Sequence, residues 1–504
     1  MPISFLICAL LMACDDKAEL IHSKGEATKF NSSEYRPGGN ITTRRLYASY
    51  IFPGKNLSSQ QQLDFWSGFS FFRDPWIIAP SATGNRDGLG PLFNSRSCIS
   101  CHTAGSRAKI DVPKAGLDDV IPLSLVVRLG SKIESITRDD PIYGGQIQPR
   151  AISYRLTDFN LNTEVSLENK LKGKSKYKLQ AVPAEKANVG EAWLKISYET
   201  ITGHYGDGEI YELIKPSYQL SRLAYGELAD HTGLSVRLAP NIFGAGLLNA
   251  IDTQDLASQE DIHDANNDGI SAKYNRVPNV ANGKIEFGRF GFKAKQPNLH
   301  QQVAAAFRDD IGITNTSFPD ESCTEQQTIC QQAAIAGGHS IDNLEIPDNR
   351  LDITVTFNEF LGVPPARNLE NKIIQQGRKH FYQLNCQQCH TPSYITDKNY
   401  SIQALANQTI WPYTDLALHD MGAGLADGVF EFEATGSEWR TPPLWGIGLQ
   451  KKMTGQQRFL HDGRARTINE AILWHGGEAE VSQQAYKALS ENQRQALIKF
   501  IRAI

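Results

Sequence analysis

Two pentapeptides, Cys98-Ile99-Ser100-Cys101-His102 and Cys386-Gln387-Gln388-Cys389-His390, carry the strongest chemical signal in the chain. Two thiols three positions apart can both reach the vinyl groups of one porphyrin, and the imidazole that follows then falls beneath the iron as its proximal ligand. The spacing therefore predicts two covalently bound haem c groups, attached through Cys98, Cys101, Cys386 and Cys389 and ligated by His102 and His390. A zinc site would need four ligands gathered from paired knuckles, yet these pairs are far apart in sequence and each has its own abutting His. A redox dithiol would not require that His.

The other four of the eight cysteines fit an exported chain. An apolar run, Ile3 to Ala13, ends in Leu11-Met12-Ala13-Cys14, a sequence that resembles the lipobox of bacterial lipoproteins. The run is too short to span a bilayer, so residues 1–14 read as a signal cleaved before Cys14, with that Cys acylated. No Lys or Arg precedes the run, and a simple secretory signal is the alternative. Haem attachment of this kind belongs outside the cytoplasm, which places the expected protein in the periplasm, lipid-anchored to a bacterial membrane through Cys14. Cys8 lies in the signal; Cys323 and Cys330 remain, as a local disulfide or as two free thiols. A net charge of −4 without a sustained basic run argues against nucleic acid as a partner.

The elements that must position the two motifs are legible as a repeat. Gly68 to Phe72 precedes the first motif and Gly377 to Phe381 the second, each with a small residue where helices could touch closely. Downstream, Pro240-Asn241-Ile242-Phe243-Gly244-Ala245-Gly246-Leu247 matches Pro442-Pro443-Leu444-Trp445-Gly446-Ile447-Gly448-Leu449. Arg289-Phe290 through Gln301 echoes Arg458-Phe459 through Glu470. The expected architecture is mainly α, with two duplicated cytochrome c-like haem domains, residues 41–345 and 346–504, after a flexible tether at 15–40. The C-terminal segment, with Leu489, Leu497, Phe500 and Ile501 at helical spacing, would cross the helix that ends near the second motif. Alternating stretches such as Leu194 to Tyr198 and Ile210 to Ile214 predict a β-rich insertion over about 120–225 in the first domain. Asp264 to Ser271 places oxygen side chains at alternate positions before Gly269, as calcium loops do, but Asn275 stands where an EF-hand has its bidentate Glu. A calcium site and a self-capping Asx turn are both open for it.

Further blocks invite a family comparison. Gly88-Leu89-Gly90-Pro91-Leu92-Phe93-Asn94, Asp415 to Gly422, Phe459-Leu460-His461-Asp462-Gly463-Arg464 and Leu473-Trp474-His475-Gly476-Gly477-Glu478 resemble the bacterial di-haem oxidoreductase family. More remotely, the chain is similar to di-haem cytochrome c peroxidases and MauG-like enzymes. The resemblance implies a peroxidase that reduces hydrogen peroxide with electrons from a small donor protein, one haem relaying electrons while the other keeps a face for peroxide. It implies a distal acid or base, for which Glu478 and His475 are candidates in the second half and Asp309 or Asp310 in the first. His475 could instead be a sixth ligand, and so could Met421 through its thioether. Trp439 stands where those peroxidases have their distal Met and cannot ligate iron, which departs from the pattern. His419, His461, Asp462 and Arg464 read equally as loop or propionate anchors. Oxidation of a partner protein, as the MauG-like similarity implies, and simple electron transfer by a non-catalytic di-haem cytochrome are the alternative functions.

Overall fold

A computed structural model of the chain describes residues 30–504 except 44–48, 80, 108, 111–117, 134–135, 153, 158–177, 182–188 and 338–343. The expected signal, Cys14 and the tether as far as residue 29 lie outside the described residues. Residues 30–41, expected within or next to the tether, are instead packed against the body. Glu34 is buried and ion-pairs with buried Arg378, and Trp411 Nε1 donates to Ser33 Oγ at 3.0 Å.

Helix α1, Ser59–Arg73, starts where Ser58 and Gln61 cap each other, and buries Phe65, Gly68 and Phe72 at helical spacing. A short helix α2, Ala245–Asn249, follows the first Gly-x-Gly block, and α3 spans Leu299–Ala306. Then come α4, Asp348–Glu359; α5, Lys372–Gln383; α6, Ile468–Leu473; and α7, Glu491–Ala503. The repeat is built into two crossings, α1 on α4 and α5 on α7. A Cβ on Gly68 would stand 2.1 Å from Ile353 O and 2.8 Å from Phe357 Cβ; one on Gly377 would stand 2.0 Å from Ala496 O and 2.9 Å from Phe500 Cβ. No other residue allows that approach. Helix α4 lies past residue 345, so the helical pair beside the first motif takes its second member from beyond the expected domain boundary.

The downstream blocks coincide in geometry as well as in sequence. Gly244 and Gly446 both have left-handed φ, +75° and +71°, and Gly246 and Gly448 each pack against the last turn of a helix, at Glu359 O and Arg502 O. In the second echo, Phe290 bridges Gln296 as Phe459 bridges Ala465, and Asn298 caps α3 as Thr467 caps α6.

Between Asp118 and Leu238 the described residues form strands. Strands β1, Leu125–Ile133, β2, Trp193–His204, β3, Ile210–Ser221, and β4, Gly233–Leu238, form two antiparallel sheets, β2 and β3 pairing over twelve residues and β4 pairing β1. Their facing apolar residues, including Leu125, Val127, Leu194, Ile196 and Val236, make a core of their own.

The expectation of a mainly α fold is corrected: the chain is 30% helix and 21% strand, divided among many small sheets. Outside the insertion most strands are two to four residues long, such as β5, Leu418–Asp420, paired with β6, Glu438–Arg440. Segments so short show no period, and sequence reading assigns them to loops.

Candidate active site

Each motif follows a helix that presents an aromatic ring to it. Cys98–Cys101 form a single helical turn and Cys386–Gln388 a 3-10 turn, and in both the His N–H donates to the carbonyl of the first Cys at 2.9 Å. The ring of Phe72 lies 6.2 Å from that of His102, and Phe381 lies 6.4 Å from His390. His102 Nδ1 bonds Pro240 O at 2.8 Å and His390 Nδ1 bonds Tyr413 O at 3.1 Å. A carbonyl can only accept, so Nδ1 carries the proton and Nε2 is left as a lone-pair donor, the tautomer a metal-ligating His needs. Burial pushes both imidazoles down to about 4, which keeps them neutral. Burial also pushes the Cys98, Cys101 and Cys386 thiols up to about 12, the opposite of a reactive dithiol.

A cavity of about 260 Å³ opens beside the second motif. Its wall includes His390, Met421, Trp439, His461 and His475, with Arg107 and Arg440. Trp439 sits on β6, its Nε1 bonded to Leu425 O at 3.0 Å, and stacks on His461 with ring centroids 3.8 Å apart and 6° between planes. His475 follows α6; its Nδ1 donates to Ala471 O at 2.7 Å, so its Nε2 is free, as in the two motif histidines. Burial holds its pKa below the ordinary histidine value.

Residues 34–504 match the model of the family described as "Di-haem oxidoreductase, putative peroxidase". The chain belongs to this family. No curated protein and no solved structure matches it.

The residues present fit the cofactor that a di-haem oxidoreductase carries. Arg107 is buried in the cavity wall, and its Nε has no hydrogen-bond partner within the protein, a donor open to a propionate. Burial lowers Arg107 and Arg440 to about 10, which leaves both guanidiniums charged. Sequence reading does not reach either arginine, because a lone Arg has no spacing to betray it.

The acids of the oxidoreductase fall differently from expectation. Glu478 does not line the cavity: it accepts from Ser271 Oγ at 2.7 Å and Asp420 N at 3.1 Å, and meets His419 Nδ1 at 2.8 Å. His419 Nε2 lies 2.9 Å from Asp415 Oδ2, so both ring nitrogens face carboxylates and the ring is held as imidazolium. Burial opposes that charge, but the hydrogen-bonded Asp415 carboxylate holds its pKa well above the ordinary value. His419 with Cys389 and Asp415 is the one group of three metal-capable donors among the described residues, and an imidazolium cannot ligate.

Asp309, the repeat equivalent of Glu478, is likewise an anchor. It is paired with Arg128 at 3.0 Å and Arg308 at 2.8 Å; burial opposes its charge, but the two guanidiniums hold it well below the carboxylate range. Its neighbour Asp310 differs. Burial raises it to about 6, it accepts from Gln146 Nε2 at 3.0 Å, and its charge is felt by Cys98 and Cys101. Both acids lie in a π-helical turn, Phe307–Ile311, a distortion frequent at functional sites.

The remaining candidates settle more simply. Asp462 accepts from Arg464 Nε at 2.8 Å and Tyr218 OH at 3.0 Å, bracing the loop that carries His461. In the candidate calcium loop, Asp264, Asn266 and Asp268 all accept N–H groups of the loop itself, the self-capping arrangement. Cys323 and Cys330 are joined as a disulfide.

Proposed function

We propose that this di-haem oxidoreductase is a periplasmic, lipid-anchored peroxidase that reduces hydrogen peroxide to water with electrons from a small donor protein. Both haems are of c type, attached through Cys98 and Cys101 and through Cys386 and Cys389, with His102 and His390 as proximal ligands. The observation that carries the proposal is the cavity beside the second motif, where His390 and His475 both keep Nε2 free. When bound, the haems supply the iron that takes peroxide and the store for two electrons.

The chain supplies the proton chemistry and the geometry. Neutral His475 Nε2 accepts the proton of an entering peroxide and returns it to the departing oxygen, a transfer that a free, correctly oriented imidazole performs. Arg107 and Arg440 would hold propionates, and the stacked Trp439 and His461 rings form one wall of the cavity. At the first site Asp310, which burial raises to about 6, would be the group to exchange a proton, while Asp309 is fixed by its guanidiniums. The export proposal rests on the Ile3–Ala13 run and Cys14.

A pyridine haemochrome assay is expected to give two haems per chain, and replacing either Cys pair by Ser to give one. Steady-state assays after reductive activation are expected to show peroxide-dependent oxidation of a reduced cytochrome donor; none would remove the peroxidase proposal.

A further inference from the structure

A second cavity, of about 220 Å³, lies where the β2–β3 hairpin meets the loop from Arg458 to Arg466. The hairpin contributes one face: Ile196 and Tyr198 from β2, Ile214, Pro216 and Tyr218 from β3, positions two apart on each strand and therefore on one side of the sheet. The loop contributes three arginines, Arg458, Arg464 and Arg466, against one carboxylate, Asp462.

Two of those arginines are already engaged. Arg464 bonds Asp462 and Gly424 O, and Arg466 bonds Glu470 and Glu212 O. Arg458 is left over. Its main chain is fixed, with the carbonyl accepting from Arg107 and Gln450 and the N–H donating to Gln450. Its buried Nε has no hydrogen-bond partner. Arg458 is only partly buried, but an N–H held in a partly apolar pocket without an acceptor costs free energy unless water or a ligand supplies one. Tyr218 is tied to Asp462, and its ring is presented to the pocket alongside that of Tyr198.

We propose that this cavity is a binding site for a small aromatic carboxylate, its anionic group on Arg458 and its ring against the Tyr198, Ile214 and Tyr218 face. The volume is below that of sites for drug-sized ligands, which limits the occupant to about one ring. A guanidinium–carboxylate pair gives the charge selectivity, and the apolar walls favour a ring over inorganic phosphate or sulfate. The site abuts the second haem cavity from behind, because Asp462 adjoins His461, which stacks on Trp439 in that cavity's wall. It goes beyond the peroxidase proposal and does not depend on it, since binding is measured without peroxide.

Isothermal titration of the haem-loaded full chain with benzoate tests it. The expected result is saturable binding of one benzoate per chain that weakens as salt rises, with benzamide, the neutral isostere, at least tenfold weaker. Arg458→Gln, with its haem absorption spectrum checked for correct folding, is expected to weaken benzoate at least tenfold. Absence of saturable heat, equal affinity for benzamide, or unchanged affinity in Arg458→Gln each overturns the site; the benzamide comparison stands even if the variant does not fold.

Discussion

Asp309 and Glu478 occupy equivalent places in the repeat, and both are held by cations: Arg128 and Arg308 for one, His419 for the other. Asp309, fixed in that way, keeps its charge near neutral pH, and Glu478 is occupied by its bonds to His419, Ser271 and Asp420, away from the cavity. His475 is the opposite case, neutral, with Nε2 free on the cavity wall. His475→Ala is therefore expected to lower peroxide turnover by about 10²–10⁴-fold, the usual contribution of a general acid–base group. A loss below threefold in steady-state assays would take that role away. Glu478→Gln should leave turnover within about tenfold of the parent, because the cavity is intact. It should cost about 1–3 kcal/mol in denaturant unfolding, since it weakens a buried charge-assisted bond. Of the two acids weighed for the first half, Asp309 is paired with Arg128 and Arg308 while Asp310 is raised to about 6 by burial, and no sequence pattern reports which of two adjacent carboxylates has arginines beside it.

At the scale of elements, the helix crossings depend on the absence of a Cβ at Gly68 and Gly377. Alanine at either place meets a backbone carbonyl that cannot rotate away. Gly68→Ala and Gly377→Ala are each expected to destabilise by at least about 1–3 kcal/mol, read from thermal or denaturant unfolding. The insertion is fastened differently, through buried Glu191, which accepts from Gln148 N–H and Gln327 Nε2. Burial raises its pKa to about 8. Between about pH 4.5 and 8 the folded state then holds a proton that the unfolded state has released, so this group's contribution to stability falls as pH rises through that window. Glu191→Gln should flatten that decline, and an unchanged slope of unfolding free energy against pH would contradict it. Both motifs, the Gly-x-x-x-Phe helices and the insertion were legible in sequence, because each has either a fixed spacing or a run long enough to show a period. The two- and three-residue strands, the place of α4 and the pairing of Arg107 with the cavity were not, since they are set by contacts between distant segments.

For the whole molecule the question is whether two repeated units behave as two domains. They are interlocked about the Gly-x-Gly blocks. A Cβ on Gly244 of the first block would lie 2.4 Å from the Trp445 ring of the second, and one on Gly446 would lie 3.1 Å from the Phe243 ring of the first. Each aromatic thus covers the glycine of the other block, an approximately two-fold arrangement. A single apolar cluster also runs through both halves, joining Phe65, Phe243 and Phe357 with Tyr394, Leu405 and Trp445. Domains joined by a small polar interface unfold separately, whereas burial shared at this scale couples them. Calorimetry of the haem-loaded protein is therefore expected to show one cooperative transition. Replacing Cys98 and Cys101 by Ser should lower the melting temperature of that whole transition, including the signal of the second haem. Two separated transitions, with the second haem site melting at its original temperature, would show that the halves are independent and that the interlocked blocks do not transmit stability between them.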